Sequence, residues 1–348
     1  MDSVVCALAL AYLEGRLRGG PKAVGLLPMK REDFRYRTEI TYLFSHLGIK
    51  EEALLFMDHF ELKRLEGLKV ILVDHNLPTG AFGELVWQVE EILDHHEDLK
   101  GALPRLQRKH IEMVGSCATL VAERFLSHEP SLRLLRANPE LTHALLGTIL
   151  LDSINLNPAM GKTTPKDISM VNSLKSILEE HSPLLTNQQI FQSLSDAKND
   201  ISALSSLELL SKDYKEWNVG PLKYGFSSVL LSVSSWLERG DLVESLSKFS
   251  TQNGLELLVV MLAYTDTNKI FKREVILFEM EEKAGKKLDV HLKMQKEVLD
   301  LVVMEEKKVQ EIESASNHIW FYYQNNIKSS RKQLQPIVHN FLLGVSKM

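Results

Sequence analysis

Acidic and imidazole side chains end apolar runs at several places in the first half of the chain. The clusters are Asp74 after Val70–Val73, Asp94-His95-His96 after Val89–Leu93, and Asp152 after Leu145–Leu151. Because open α/β sheets place their ligands at the carboxyl ends of strands, we expect these side chains to meet. Carboxylate oxygens and imidazole nitrogens suit Mn²⁺, Mg²⁺ or Zn²⁺, so the pattern indicates metal-dependent phosphoryl chemistry.

A simpler interpretation exists for Asp94-His95-His96, in which its polar atoms only cap a turn. For one isolated triplet that interpretation would be preferred. Several acid or imidazole clusters that each end an apolar run favour a shared site instead.

The composition is that of a globular protein, with 44% hydrophobic and 25% charged residues. A length of 348 residues exceeds one typical core and predicts two domains. The formal charge of −5 offers no broad basic surface for nucleic acid or an anionic membrane. An anionic substrate is therefore expected to meet a local basic site.

An apolar run, Val4–Leu13, comes after an acidic start. A secretory signal begins with basic residues and a membrane span needs roughly 20 apolar residues, so the run predicts a buried helix. Cys6 and Cys117 do not form a closely spaced pair, which favours a reducing compartment over a disulfide framework. These features predict a cytoplasmic protein that does not enter the membrane.

The first half alternates short apolar strands with helical patterns, as βαβ units do. Strands are predicted at 24–28, at 70–73 and in the segment that ends at Leu93, and helices at 34–47, 116–126 and 141–151. Ser116 is predicted as an N-cap, which would present free backbone N–H groups beside the site.

The connection between the domains is placed near Glu179–Pro183, where polarity has risen and the pattern breaks. In the second half, strands are predicted at 229–236 and 255–264, and charged helices at 242–250 and 283–311. These elements indicate a second α/β domain.

Further motifs stand in order along the chain. The full set is Val73-Asp74-His75-Asn76, Asp94-His95-His96, Val114-Gly115-Ser116-Cys117-Ala118-Thr119, Leu150-Leu151-Asp152-Ser153, Gly161-Lys162-Thr163-Thr164-Pro165-Lys166-Asp167 and Ser330-Arg331-Lys332. This ordered set resembles the DHH phosphoesterase superfamily, and within it the prune-type exopolyphosphatases, relatives of the two-metal inorganic pyrophosphatases. The resemblance covers nearly the whole chain.

The resemblance implies an α/β fold of two domains. A parallel-sheet DHH phosphoesterase domain would occupy 1–182, and a smaller α/β DHHA2 domain that clamps the substrate would occupy 190–348. The active site is expected in the cleft between them.

The resemblance also implies two divalent cations, Mn²⁺ or Mg²⁺, held by Asp2, Asp74, His95 and Asp152. His96 would be the catalytic electrophile that faces the substrate phosphate. Lys162, Arg331 and Lys332 would bind the substrate, arginine through its planar fork and lysine as a point charge. A solvated surface charge is the alternative for each basic residue, and the motif context favours phosphate binding.

Asp2 marks a departure from the family's pattern. The segment 2–10 matches the end of the family's Asn-x-x-x-Asp-x-Asp motif and the residues after that motif, with Asp2 on the second aspartate. The earlier asparagine and aspartate have no counterpart, so one metal would lose two neighbours and the sheet would lack a strand. We expect either a shortened gene product or weak metal binding.

The first hypothesis, which the resemblance implies, is that the protein is a metal-dependent hydrolase of short-chain polyphosphate or pyrophosphate. The alternatives are a regulatory or binding protein of the same fold with weakened catalysis, and a nucleotide phosphodiesterase. A single-strand exonuclease is disfavoured because the chain shows no basic stripe with interleaved aromatic residues. No nucleic-acid or membrane partner is predicted, and these residues leave protein partners open.

Overall fold

The computed structural model describes residues 1–17, 23–59, 67–78, 80–101, 103–180, 185–281, 284–316 and 318–345. The chain divides into two compact units, Met1–Asp200 and Ile201–Met348. This division falls later than the predicted boundary between 182 and 190. The reason is helix Asn187–Asn199, whose Leu194 lies in the core of the first unit.

The first unit alternates helices with short strands. Its elements are α1 (Asp2–Leu17), β1 (Leu26–Leu27), α2 (Thr38–His46), β2 (Leu55–Phe56), β3 (Val70–Val73), β4 (Val89–Asp94), β5 (Arg108–Ile111), α3 (Cys117–Leu126), α4 (Glu129–Arg136), α5 (Pro139–Asp152), α6 (Pro165–Glu179) and α7 (Asn187–Asn199). The predicted helices near 34–47, 116–126 and 141–151 are confirmed, and the strand predicted at 24–28 is shorter than expected.

The strands of the first unit pair in parallel within two sheets. β1 pairs with β2, and β3, β4 and β5 form the second sheet in that order. An apolar cavity of about 590 Å³ is lined by β3, by Leu26 of β1 and by Ala7 and Ala11 of α1. Parallel order brings the carboxyl ends of β3 and β4, and hence Asp74 and Asp94, to the same edge.

Two helices of the first unit are buried because their sequences are apolar around much of their circumference. α1 contains the predicted run Val4–Leu13, and its residues Val4, Val5 and Leu13 are each at most 3% exposed. α5 buries almost every residue from Ala144 to Leu151 and ends at Asp152. Both helices therefore bring a predicted ligand to the site from within the core.

The second unit is built around one mixed sheet. Its elements are α8 (Ser206–Lys212), β6 (Tyr214–Val219), β7 (Leu222–Val229), α9 (Val233–Arg239), α10 (Leu242–Asn253), β8 (Leu257–Thr265), β9 (Phe271–Glu279), α11 (Gly285–Met294), β10 (Leu301–Val303), α12 (Lys307–Ser316), β11 (Ile319–Gln324) and α13 (Arg331–Val345). The strand order is β10-β11-β9-β8-β7-β6, and only β7 and β8 run parallel.

Two of the secondary-structure predictions for the second unit are wrong. The predicted strand 229–236 contains the end of β7 and the start of α9, because the Ser232 hydroxyl accepts from Ser235 N at 3.0 Å and caps the helix. The predicted helix 283–311 is divided into α11, β10 and the beginning of α12. The strand predicted at 255–264 and the helix at 242–250 are confirmed.

No helix among the described residues is both long enough and apolar enough to cross a membrane.

Candidate functional site

Predicted ligands from three elements of the first unit meet around one imidazole. His95 Nε2 lies 3.2 Å from Asp74 Oδ1 and 3.7 Å from Asp2 Oδ2. Asp74, His95 and His96 each offer an atom to a group whose members lie within 4.8 Å of one another. The end of β3, the residues after β4 and the start of α1 therefore form one polar cluster.

Asp74 is held in a conformation that aspartate seldom adopts. Its φ is 60°, in the left-handed region, and such backbone strain is concentrated at functional sites. Ser3 Oγ donates to Asp74 Oδ2 at 2.5 Å, whereas the buried Oδ1 faces His95 Nε2 at 3.2 Å. A buried carboxylate oxygen that faces an imidazole nitrogen fits the ligand set of a divalent cation.

His95 is oriented by the backbone. Its Nδ1 lies 2.9 Å from Val114 O, so Nδ1–H donates to that carbonyl and Nε2 faces the carboxylates. Burial lowers the pKa of His95, but the hydrogen bonds with Asp74 and Val114 and the charge of Asp2 outweigh it and raise the pKa to about 9. A proton and a cation therefore compete for the same place between His95 and the carboxylates.

Asp2 belongs to α1, and its carboxylate binds the N-terminus of helix α3. Cys117 N donates to its Oδ2 at 2.6 Å, and Ala118 N donates to its Oδ1 at 2.9 Å. Burial, followed by repulsion from Asp74, raises the pKa of Asp2. Two amide donors at a helix N-terminus fix the carboxylate in place beside His95.

Asp152, the last residue of α5, lies outside the group formed by Asp74, His95 and His96 and is joined to the site through Ser116. Ser116 Oγ donates to Asp152 Oδ2 at 3.1 Å and also accepts from Ala118 N at 3.3 Å, which confirms the predicted N-cap. Burial and the nearby charge of Asp2 raise the pKa of Asp152 to about 7. Carboxylates that repel one another in a buried place are stabilised by a divalent cation.

Asp94 orients the two histidines that come after it. Its Oδ1 accepts from His95 N and lies 2.8 Å from both that nitrogen and His96 Nδ1, and its Oδ2 accepts from Asn76 Nδ2 at 2.6 Å. Asp94 is fully buried, whereas the side chain of His96 is 58% exposed. Within the described ranges His96 Nε2 has no hydrogen-bond partner, so this nitrogen is accessible to a ligand.

The predicted basic residues fall into both units. Lys162 is exposed in the turn after Gly161, in the first unit. Arg331 and Lys332 begin α13 in the second unit, where Arg331 Nη1 pairs with Asp213 Oδ1 at 2.9 Å. Lys332 is exposed. The predicted position of the active site between two domains stays a prediction.

Sequence reasoning missed the residues that support the predicted ligands. Ser3 adjoins Asp2, but nothing in the spacing indicates its bond to Asp74. The motifs give Asp94 no separate role, and Asp167 closes a motif in which only Lys162 is singled out. Hydrogen bonds between residues far apart in the chain carry no local signal.

Comparison with known proteins identifies a domain family in the second part of the chain. The DHHA2 domain family matches residues 192–341. The exopolyphosphatase PRUNE1 of Mus musculus is 32% identical over 98% of this chain and 73% of its own length. The chain belongs to the prune-type DHH phosphoesterases. The predicted family is thereby confirmed.

More distant relatives support the same fold. A cobalt-dependent inorganic pyrophosphatase of Clostridium perfringens is 25% identical over 58% of this chain and 35% of its own length. The crystal structure of a Methanococcus jannaschii "putative family II inorganic pyrophosphatase" superposes with a TM-score of 0.56 at 21% identity, over 98% of this chain and 95% of that chain. The α/β fold predicted for a prune-type phosphoesterase is confirmed.

Proposed function

We propose that this protein is a metal-dependent phosphohydrolase that acts on short-chain polyphosphate or pyrophosphate. The observation that supports this most directly is the convergence of Asp2 and Asp74 on His95, with Asp152 held nearby through Ser116. Similar proteins are named as an exopolyphosphatase and a cobalt-dependent inorganic pyrophosphatase, and carboxylate and imidazole donors suit divalent cations.

The proposed ligands are Asp2, Asp74, His95 and Asp152, and the proposed ions are two Mn²⁺ or Mg²⁺. When bound, such ions lower the pKa of water and neutralise phosphate oxygens. The chain contributes the fixed geometry. Val114 O orients His95, Ser3 orients Asp74, and the amides of α3 hold Asp2.

The substrate contacts are proposed from the polar atoms that remain accessible. As the doubly protonated imidazolium, His96 would donate from Nε2 to a phosphate oxygen while Nδ1–H donates to Asp94. Lys162 would add a positive charge from the exposed turn. Arg331 and Lys332 of the second unit are proposed to bind the same phosphate chain, which for Arg331 requires that the guanidinium leave Asp213.

Phosphate release from pyrophosphate and tripolyphosphate, measured during titration with Mn²⁺ and Mg²⁺, tests the proposal. We expect release that depends on metal and falls at least about 100-fold in Asp152→Ala, because one ligand to the ions is lost. Asp196→Ala is the matched control, since within the part of the chain that the structure describes that exposed carboxylate pairs with Gln192 on the same helix. Its rate should equal the wild-type rate.

Two outcomes would contradict the proposal. Release that persists without metal or in Asp152→Ala would place the chemistry elsewhere. Absence of release at any metal concentration, with phosphate still bound, would indicate the regulatory protein of the same fold.

A further inference from the structure

A buried aspartate outside the proposed ligand set ties two loops of the site together. Asp167 is fully buried, and its carboxylate accepts from Gly115 N at 2.9 Å and from Thr119 Oγ1 at 2.5 Å. It also accepts from the backbone and hydroxyl of Thr164, each at 2.7 Å. These donors come from the loop before α3, from α3 itself and from the residue that precedes α6.

The loop held by Asp167 carries the atoms that orient two proposed ligands. Val114 O, one residue before Gly115, is the partner of His95 Nδ1 at 2.9 Å. Ser116 Oγ, one residue after it, donates to Asp152 at 3.1 Å. A shift of Gly115 would therefore move the partners of both His95 and Asp152.

Gly115 is packed so closely that there is no space for a Cβ atom. A Cβ at this position would lie 2.6 Å from Lys162 O and 2.9 Å from Asp167 Oδ2. The backbone of the Lys162 turn thus packs against the same glycine whose amide Asp167 accepts. One carboxylate fixes the distance between the turn that carries Lys162 and the loop that orients the ligands.

We infer that Asp167 is a positioning residue for the metal site, acting through Gly115 on His95 and Asp152. The inference rests on the proposed function. The competing account is that Asp167 only completes a capping box with Thr164 at the start of α6. That account explains the contacts with Thr164 but not those with Gly115 and Thr119, which lie outside α6.

The affinity for Mn²⁺ alone, measured by calorimetry on the full chain, separates the two accounts. Asp167→Asn replaces one acceptor oxygen by an NH₂ donor, and Gly115→Ala displaces the loop by steric contact while Thr164 keeps its capping hydroxyl. We expect each to weaken Mn²⁺ binding at least about tenfold, as outer-shell substitutions do. Thr164→Ala is the control, since it removes the capping hydroxyl but leaves the amide of Gly115 on Asp167. It should lower the melting temperature and leave Mn²⁺ affinity within about twofold.

A second measurement needs no metal. The proton on His95 Nδ1, detected by ¹⁵N-edited NMR, should be protected from exchange in the wild type and in Thr164→Ala because it donates to Val114 O. The signal should be lost or shifted in Asp167→Asn and in Gly115→Ala. This readout decides the inference even if one variant is too unstable for calorimetry.

The inference is overturned if Asp167→Asn and Gly115→Ala keep wild-type Mn²⁺ affinity and an unchanged His95 signal. It is also overturned if Thr164→Ala loses as much Mn²⁺ affinity as Asp167→Asn and Gly115→Ala do, because loss of the α6 cap would then explain the effect of all three variants. A wild type that binds Mn²⁺ but releases no phosphate would contradict the proposed function alone. If the wild type binds no Mn²⁺, the His95 signal still tests the positioning role.

Discussion

The proposed ligands differ in how their surroundings shift their pKa values. Burial raises the pKa of Asp74, but its hydrogen bonds with His95 and Ser3 outweigh burial and lower that pKa. Burial and like charge raise the pKa of Asp152 to about 7. Burial lowers the pKa of His95, yet the contact with Asp74 and further partners raise it to about 9. The cluster thus holds protons at neutral pH that a cation must displace.

Binding of Mn²⁺ is therefore expected to strengthen as pH rises. His95, with a raised pKa, favours the folded protein when protonated below about pH 6.5, and this contribution is lost as pH approaches 9. A cation that needs neutral His95 releases this proton, so affinity should rise about tenfold per pH unit from 7 to 8.5, and more steeply below 7, where Asp152 also releases a proton. Calorimetry in buffers of different ionisation enthalpy measures the released protons.

The control for this pH dependence is His95→Gln. It should bind Mn²⁺ weakly, with little change in affinity between pH 7 and 8.5. A wild-type affinity that is flat across this range would show that His95 is not displaced from its proton by the ion.

At the scale of elements, β4 is joined to its neighbours by a buried carboxylate. Glu91 is 1% exposed and pairs with Arg108 of β5 and with Arg124 of α3, the latter at 2.5 Å. These ion pairs connect the strand that ends in Asp94 to the helix that begins beside Asp2. Glu91 therefore holds β4, β5 and α3 together.

Glu91→Gln should destabilise the first unit by about 3 kcal/mol, because it removes the charge of a buried carboxylate that pairs with two part-exposed arginines. Urea unfolding monitored by circular dichroism measures the loss. The neighbouring Glu90→Gln is the matched control, since Glu90 pairs with Lys69, whose side chain is 66% exposed, and should cost less than about 1 kcal/mol. Equal losses in the two variants would argue against a structural role for the buried carboxylate.

The sequence patterns predicted an element correctly where one apolar run belongs to a single helix or strand. The buried helices α1 and α5 and the strand β8 are long enough for their apolar runs to identify them. The prediction failed at 229–236 because the run continues from β7 across Ser232 into α9. The prediction of one helix over 283–311 was also wrong, because the short strand β10 lies within this charged stretch.

At the scale of the whole molecule, three of the proposed ligands could be predicted because Asp74, His95 and Asp152 lie at or just after the end of an apolar element, whereas Asp2 was predicted from the resemblance alone. The hydrogen bonds that support these ligands could not be predicted. Asp167 reaches Gly115, 52 residues earlier, and Ser3 reaches Asp74, 71 residues later. Such bonds depend on the completed packing of α1, α3 and α6, which no local pattern specifies.

The two units also predict how the whole chain should unfold. Each unit has its own core of buried apolar residues, and all the proposed metal ligands lie in the first unit. Differential scanning calorimetry should therefore show two transitions, of which Mn²⁺ raises only one. At 100 times the dissociation constant, binding stabilises that unit by about 2.7 kcal/mol.

Hydrogen exchange measured by mass spectrometry would assign that transition, through added protection in α1, α3 and α5 and none in β7–β9. Asp152→Ala should keep both transitions and lose the shift, because its ligand set is incomplete while its core is intact. If Mn²⁺ instead raised both transitions in the wild type, residues of the second unit would take part in holding the ion. The ligand set proposed from Asp2, Asp74, His95 and Asp152 would then have to be extended.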